Sequence, residues 1–379
     1  MSKNHQPATD RTALVLTGGG ARAAYQVGVL KAAAELLPKR APNPFSIITG
    51  TSAGAINAVA LGASANNFRL AVKKVERLWT TLHVENVYKS GYRDLIRSIY
   101  RLVSSMFHQG VGVREPVALL DSSPLAELLE RVINFDDLER RLSGGQLDAI
   151  GVTASCYDSG ESVTFYQSDL DGSVLPEWRR ARRHGVATRL KVQHLLASSA
   201  IPMILPAAKV EDSYYGDGAL RQVSPISPAL HMGAERIMVV GVSGNVNRPP
   251  REQHESHSPS LGRMIGHVFN SAFIDALESD MEHLARINNL VGMLNNENPH
   301  LDTGGVKMVD FLCINPSMEI DQMVARHFNK LPRATRRMLG ITGATPEGGG
   351  ASLASYLMFE GDFCRELIQC GYHDAMEQK

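Results

Sequence analysis

Twice near the start of the chain, a short continuous apolar run is cut by glycine and followed at once by a stretch of small residues. Ala13-Leu14-Val15-Leu16 stops at Thr17-Gly18-Gly19-Gly20, and residues 21–36 then repeat apolar positions at helical spacing. Phe45-Ser46-Ile47-Ile48 is cut in the same way and leads into the small-residue segment Ala53–Ala63. A strand with no polar alternation is one covered on both faces, as strands of a parallel sheet are. Strand, glycine turn and helix in repetition predict a three-layer α/β/α fold around a mainly parallel central sheet.

The rest of the chain fits this frame with additions. Residues 68–140 read as helices with no clear strand and form a helical insertion. Ala149–Ser155 and Ser162–Tyr166 read as strands joined by a turn at Asp158-Ser159-Gly160. Val192–Ala200 is mixed in character, and Arg236–Val242 and Val309–Ile314 are the last strong strand candidates. Between those two, residues 247–260 are polar and contain prolines, so an exposed, mobile loop is expected. Beyond residue 320 the pattern is mostly helical, broken at Gly348-Gly349-Gly350. The expected organisation is an α/β domain over 12–315 with a helical extension, 316–379, packed on it.

Composition narrows the partners. The 379 residues include 39 basic and 39 acidic side chains for a net charge of +0, which removes the basic excess of a typical nucleic-acid binder. No segment approaches the ~18 apolar residues needed to cross a bilayer, and the N-terminus lacks the order of a signal peptide. The four cysteines, Cys156, Cys313, Cys364 and Cys370, show no CxxC pair and no zinc spacing. They read as small buried hydrophobes, and the expected location is the cytoplasm, with peripheral contact at the inner membrane face.

Three motifs carry chemistry. Gly50-Thr51-Ser52-Ala53-Gly54 fits G-x-S-x-G between a predicted strand and a predicted helix, the setting of a nucleophile elbow. There Gly50 and Gly54 permit a sharp turn, and the helix N-terminus favours developing negative charge at the Ser52 hydroxyl. The plainer reading is a small-residue turn where strand and helix pack closely.

Gly18-Gly19-Gly20-Ala21-Arg22 can aim successive N–H groups at one anion. A dinucleotide loop would need glycine where Ala23 stands, and Glu35 falls too early for its acidic partner. A phosphate loop would need Gly-Lys-Ser or Gly-Lys-Thr, which is missing. An oxyanion hole serving Ser52 and a close helix–sheet contact both remain open.

A serine hydroxyl needs a base. His184, His194 and His231 each read better as a helix face or surface residue. Asp217 in Tyr215-Gly216-Asp217-Gly218-Ala219 is the stronger candidate, because flanking glycines suit a tight turn that thrusts a carboxylate into a cleft. Taken alone, the same residues make an ordinary Asp-Gly turn.

Together these residues resemble the patatin-like phospholipase family. Its signature is a G-G-G-x-R loop, a G-x-S-x-G elbow and a later D-G-A or D-G-G turn, all present here in that order. The run Ala197-Ser198-Ser199-Ala200-Ile201-Pro202 also precedes the aspartate, as in that family. The resemblance covers roughly residues 12–242. It implies a catalytic dyad of Ser52 and Asp217, an oxyanion hole at Gly18, Gly19 and Gly20, and no metal or organic cofactor. Arg22 would hold the loop or touch a phosphate, or serve equally well in a structural ion pair. Ala23, where many members have glycine, leaves the oxyanion glycines intact.

The implied substrate is a lipid or phospholipid, hydrolysed by phospholipase A or lysophospholipase chemistry. An acyl-CoA thioesterase or acyltransferase would use the same dyad, since an acyl-enzyme can be discharged by water or another acceptor. A non-catalytic lipid-binding module would keep the fold alone.

Two segments invite membrane contact. In 92–109, Arg93, Arg97 and Arg101 recur at helical spacing beside Ile96, Ile99, Leu102, Val103, Met106 and Phe107. Such a helix lies in the headgroup region or packs its apolar face on the protein. In 178–184, Trp178 precedes a dense cationic cluster that attracts anionic headgroups or forms a solvated helix face.

Overall fold

The computed structural model describes residues 11–107, 116, 118–169, 172–242, 258–297, 306–345 and 350–379. Ten strands form one sheet: β1 (Thr12–Leu16), β2 (Ile47–Thr51), β3 (Ala149–Cys156), β4 (Ser162–Ser168), β5 (Arg179–Arg180), β6 (Arg183–Ala187), β7 (Ala208–Val210), β8 (Ser213–Asp217), β9 (Arg236–Val240) and β10 (Asp310–Ile314). Their order is β10-β9-β1-β2-β3-β4-β6-β5, with β8 pairing β3 and β7 off that path. The first five of these are mutually parallel, with Leu14 opposite Ile48 and Met238. Antiparallel pairs enter only from β3 onward, at β3–β4, β3–β8, β7–β8 and β5–β6.

Fourteen α-helices accompany the described strands. In the first half these are α1 (Ala24–Leu36), α2 (Ala53–Gly62), α3 (Phe68–Thr80), α4 (Tyr92–Phe107), α5 (Ser123–Val132), α6 (Phe135–Ser143) and α7 (Val192–Ser198). The second half holds α8 (Ser227–His231), α9 (Leu261–Asn270), α10 (Ala276–Glu297), α11 (Ile320–His327), α12 (Arg333–Ile341), α13 (Ala351–Leu357) and α14 (Gly361–Glu377).

The unbroken apolar run of β1 is explained by its two covered faces. Leu14 and Leu16 enter a large core with α1, α2, α3 and the C-terminal helices. Ala13 and Val15 enter a second core with Ala229 of α8 and Leu277, Met281 and Leu284 of α10. Helix α3 shows how the insertion joins the body. Asn67 caps it by accepting from the Leu70 N–H, and Phe68, Ala71, Val72, Val75 and Trp79 bury one stripe. Three of the four cysteines are buried, and Cys313 is half-buried.

Several expectations are revised. The cluster at 178–184 is not a helix face: Arg179–Arg180 and Arg183–Ala187 form a tight antiparallel hairpin turned at Arg182, whose φ is 57°. Its Trp178 is spent on packing, stacked between Tyr166 and His231. Arg179 pairs with Glu161, and Arg183 donates to the Ser227 hydroxyl. Residues 261–297 are helical, and a π-helical turn at Ser271–Asp275 joins α9 to α10. Of the loop expected at 247–260, residues 247–257 lie outside the described residues. Residues 258–260 lead into α9, where Ser260 accepts from the Arg263 N–H. Among the described residues, no helix is long and apolar enough to cross a membrane.

The C-terminal helix lies directly on α1. A Cβ at Gly28 would stand 2.0 Å from the Ile368 carbonyl oxygen, and one at Gly371 would stand 2.2 Å from that of Tyr25. Missing side chains on both helices set this separation, and the Tyr25 hydroxyl locks it by donating to Asp374 at 2.8 Å. Gly28→Ala should therefore push α14 off α1 and cost roughly 1–3 kcal/mol, read by urea unfolding. An unchanged midpoint would show that the two helices separate freely.

Candidate active site

Ser52 closes β2 and opens α2 with φ 54° and ψ −131°, a conformation that side chains disfavour. The turn is held by backbone contacts that only glycine allows. A Cβ at Gly50 would lie 2.5 Å from the Gly54 oxygen, and one at Gly54 would lie 2.4 Å from the carbonyl oxygens of Leu16 and Thr17. The elbow is thus wedged against the C-terminal end of β1, where the glycine loop begins.

Asp217 ends β8 and is fully buried. Its Oδ2 accepts the Ser52 hydroxyl at 2.5 Å, while Oδ1 accepts the Ala219 N–H at 3.0 Å. Burial pushes this carboxyl up to about 7, against the opposing pull of those two hydrogen bonds. The flanking glycines have a steric reason: a Cβ at Gly218 would meet the Thr153 oxygen at 2.1 Å, and one at Gly216 the Tyr157 hydroxyl at 2.6 Å. A carboxylate at this distance can take the serine proton, and a pKa near neutrality makes it a far better base than an ordinary aspartate.

Gly18 faces the serine, since a Cβ there would stand 3.1 Å from the Ser52 Cβ and 2.8 Å from the ring of Phe273. Gly20 has φ +53°, and a Cβ there would meet the Tyr356 oxygen at 2.2 Å. Among the described residues, the N–H groups of Gly18, Gly19 and Gly20 have no hydrogen-bond acceptor, and they are free to meet an anion. Arg22 is turned away from that space and into the C-terminal helices. Its guanidinium donates to Ser355 Oγ at 2.6 Å, Ser352 Oγ at 3.0 Å and Asp321 at 3.1 Å, and lies 4.3 Å from the Tyr356 ring centre. Holding the loop, and not touching a phosphate, is what this arrangement provides.

Three supporting groups escape the sequence reading. Ser198 Oγ accepts the Ser52 N–H at 2.8 Å and donates to the Thr153 carbonyl at 2.6 Å. Two residues on, the Ala200 carbonyl accepts the Asp217 N–H at 2.8 Å, so the segment 197–202 ties both members of the pair. The position of that run just ahead of the aspartate is the one signal that pointed to it. Gln26 donates to the Thr17 and Val240 carbonyls and accepts from Asn57, which in turn accepts from the Trp79 indole. The histidines stay apart: His194 is held well down, to about 4, by burial and accepts from the Lys191 N–H, while His231 stacks on Trp178 and His184 pairs with Glu161.

Beside Ser52 lies a cavity of about 50 Å³. Leu78, Trp79, Leu82, Tyr88, Leu128 and Phe359 are among its walls, and among the described residues no charged one lines it. The polar groups at its surface are few. The Tyr88 hydroxyl is spent on the Leu357 carbonyl and the Trp79 indole on Asn57, whereas the buried Ser199 hydroxyl has no partner among the described residues.

A strand–helix elbow carrying a serine, a carboxylate on its hydroxyl and an apolar chamber alongside give the layout of a lipid acyl hydrolase. The patatin-like phospholipase family profile matches residues 14–230, and the chain belongs to that family. No curated protein matches it. Among solved structures it is similar to VipD from Legionella pneumophila, at 11% identity and a TM-score of 0.31, covering 92% of this chain and 67% of that one. It is also similar to human GIVD cytosolic phospholipase A2 in complex with methyl gamma-linolenyl fluorophosphonate, at 12% identity and a TM-score of 0.37, covering 97% and 60%. A third is ExoU from Pseudomonas aeruginosa, in complex with SpcU, at 17% identity and a TM-score of 0.26, covering 91% and 70%. The family match, not these distant likenesses, places the chain.

Two outcomes follow from this geometry. Ser198→Ala orphans the Ser52 N–H and the Thr153 carbonyl, so thermal unfolding should report a loss of about 1–3 kcal/mol; no loss would show that water replaces the hydroxyl. Reactivity of Ser52 should follow ionisation of Asp217, whose raised pKa keeps the base protonated in acid. The fluorophosphonate labelling rate should rise about tenfold per pH unit and level off near 7. A plateau reached already near ~4 would remove Asp217 from that role.

Proposed function

We propose that the protein is a serine acyl-ester hydrolase acting on lipids, of the phospholipase A or lysophospholipase type. The observation that carries this reading is the uncharged apolar chamber opening onto a serine whose hydroxyl is bonded to a buried carboxylate. An acyl chain is the ligand that fills such a space without leaving its own polar groups unpaired.

Ser52 Oγ attacks the ester carbonyl as its proton passes to Asp217. The carbonyl oxygen becomes an oxyanion, which the N–H groups of Gly18, Gly19 and Gly20 would receive in this reading. Collapse breaks the ester bond, and the departing alcohol takes the proton from Asp217. Water then gives a proton to the same carboxylate and attacks the acyl-enzyme; the Oγ–acyl bond breaks, Ser52 Oγ takes the proton back from Asp217, and the fatty acid departs. Arg22 contributes by fixing the glycine loop, since each lost oxyanion donor typically costs ~10²–10³ in rate.

Labelling with a fluorophosphonate, read by intact mass, tests the reading. One adduct is expected on the wild type, none on Ser52→Ala, and strongly slowed labelling on Asp217→Asn. A folded wild type that forms no adduct and releases no fatty acid from phospholipid or lysophospholipid would overturn it. Chain length supplies a second expectation: Leu128→Trp fills part of the chamber and should shift hydrolysis toward short acyl chains, and an unchanged chain-length profile would place the acyl chain elsewhere.

A further inference from the structure

Helix α4 is turned the opposite way from an ordinary cap helix. Tyr92, Ile96, Ile99 and Tyr100 follow the spacing i, i+4, i+7, i+8 and form one stripe, which in a packed helix would be buried. Here that stripe faces solvent, with Ile96 65% and Tyr100 74% exposed. Among the described side chains of α4, only Leu95 reaches the core. Of the apolar face expected to pack on the protein, the described part, Ile96 and Ile99, is uncovered; the side chains of Leu102, Val103, Met106 and Phe107 lie outside the described residues.

Charge accompanies this stripe. Arg93 and Arg97 are exposed on the neighbouring row of α4, where Asp94 is the one acidic residue. Tyr92 also lines an open groove of about 760 Å³ with Phe328 and with Arg333, Arg336 and Arg337 of α12. Helix α12 buries Ala334, Thr335, Met338 and Leu339 and presents Arg333 and Arg337 outward, with Arg336 half-buried and bonded to Asn329, and ends at Ile341, which is 87% exposed. In a chain of zero net charge, five arginines ringing exposed isoleucine and tyrosine side chains is a local concentration of charge.

We propose that α4 and α12 form a docking face for an anionic lipid bilayer, with the Tyr92–Tyr100 stripe entering the headgroup boundary and the arginines meeting lipid phosphates. Charge complementarity selects this occupant: exposed arginines beside an apolar stripe suit a surface that is apolar inside and negative at its rim. The face is also tied to the chamber. Tyr88 lines that chamber and lies just ahead of α4, and its hydroxyl bonds the Leu357 carbonyl at the chamber wall. The choice of a lipid partner rests on the reading of the protein as a lipid hydrolase, and the test keeps the two apart.

Ser52→Ala protein, which leaves lipid intact, is mixed with vesicles of phosphatidylcholine alone or of equimolar phosphatidylcholine and phosphatidylglycerol, and binding is read by sedimentation. Binding is expected only to the anionic vesicles and should weaken with added salt. Adding Arg93→Gln, Arg97→Gln, Arg333→Gln and Arg337→Gln should lower the affinity at least ~10-fold. Ile96→Ser with Tyr100→Ser should lower binding that survives high salt. The same surface changes in Ser52-intact protein should leave fluorophosphonate labelling unchanged. Failure of wild-type labelling would sink the catalytic reading without touching the vesicle result. Equal binding to both vesicles, binding indifferent to the arginines, or a concentration-dependent dimer in place of vesicle binding would overturn the docking face.

Discussion

A carboxyl group removed from water with no cation beside it resists ionisation, and the surroundings of Ser52 are organised around that cost at Asp217. Two neutral donors, the Ser52 hydroxyl and the Ala219 N–H, are what the buried carboxylate receives. A guanidinium at this point would hold it ionised and weak as a base. The buried Arg22 is committed to Ser352, Ser355 and Asp321. The near-neutral pKa of Asp217 is a consequence of its burial, which the two hydrogen bonds offset only in part.

Keeping those groups in place requires contacts between parts of the chain distant in sequence. The glycine loop approaches Phe273 at Gly18 and the Tyr356 backbone at Gly20, so its position depends on the π-helical turn before α10 and on α13. Arg22 fixes the same loop to α11 and α13. A polar chain from Thr17 through Gln26 and Asn57 to Trp79 links the loop's base to the wall of the chamber, with each buried donor meeting an acceptor. The C-terminal helices are part of the scaffold of the site.

Much of this was legible from local pattern. The β1 and β2 runs, the elbow glycines and the Gly216–Gly218 bracket each report a backbone constraint confined to a few residues, which is why they could be read. The β5–β6 hairpin was not legible, because an arginine-rich stretch carries no periodicity that separates strand from helix and only pairing with β4 decides it. Ser198 was visible as part of a run but not as the acceptor for Ser52, since that bond spans β2 and α7.

The sequence by itself determined the parallel α/β core, the sharp glycine-flanked turn at Ser52 and the serine and aspartate that the structure brings together. Each depends on side-chain size and spacing within one short segment. Tertiary structure alone decided that Ser52 and Asp217 meet at 2.5 Å, that the carboxylate is dry, and that the space beside them is apolar. It also decided that the stripe on α4 faces outward. Burial and distance are properties of surfaces brought together from opposite ends of the chain, and no local pattern encodes them.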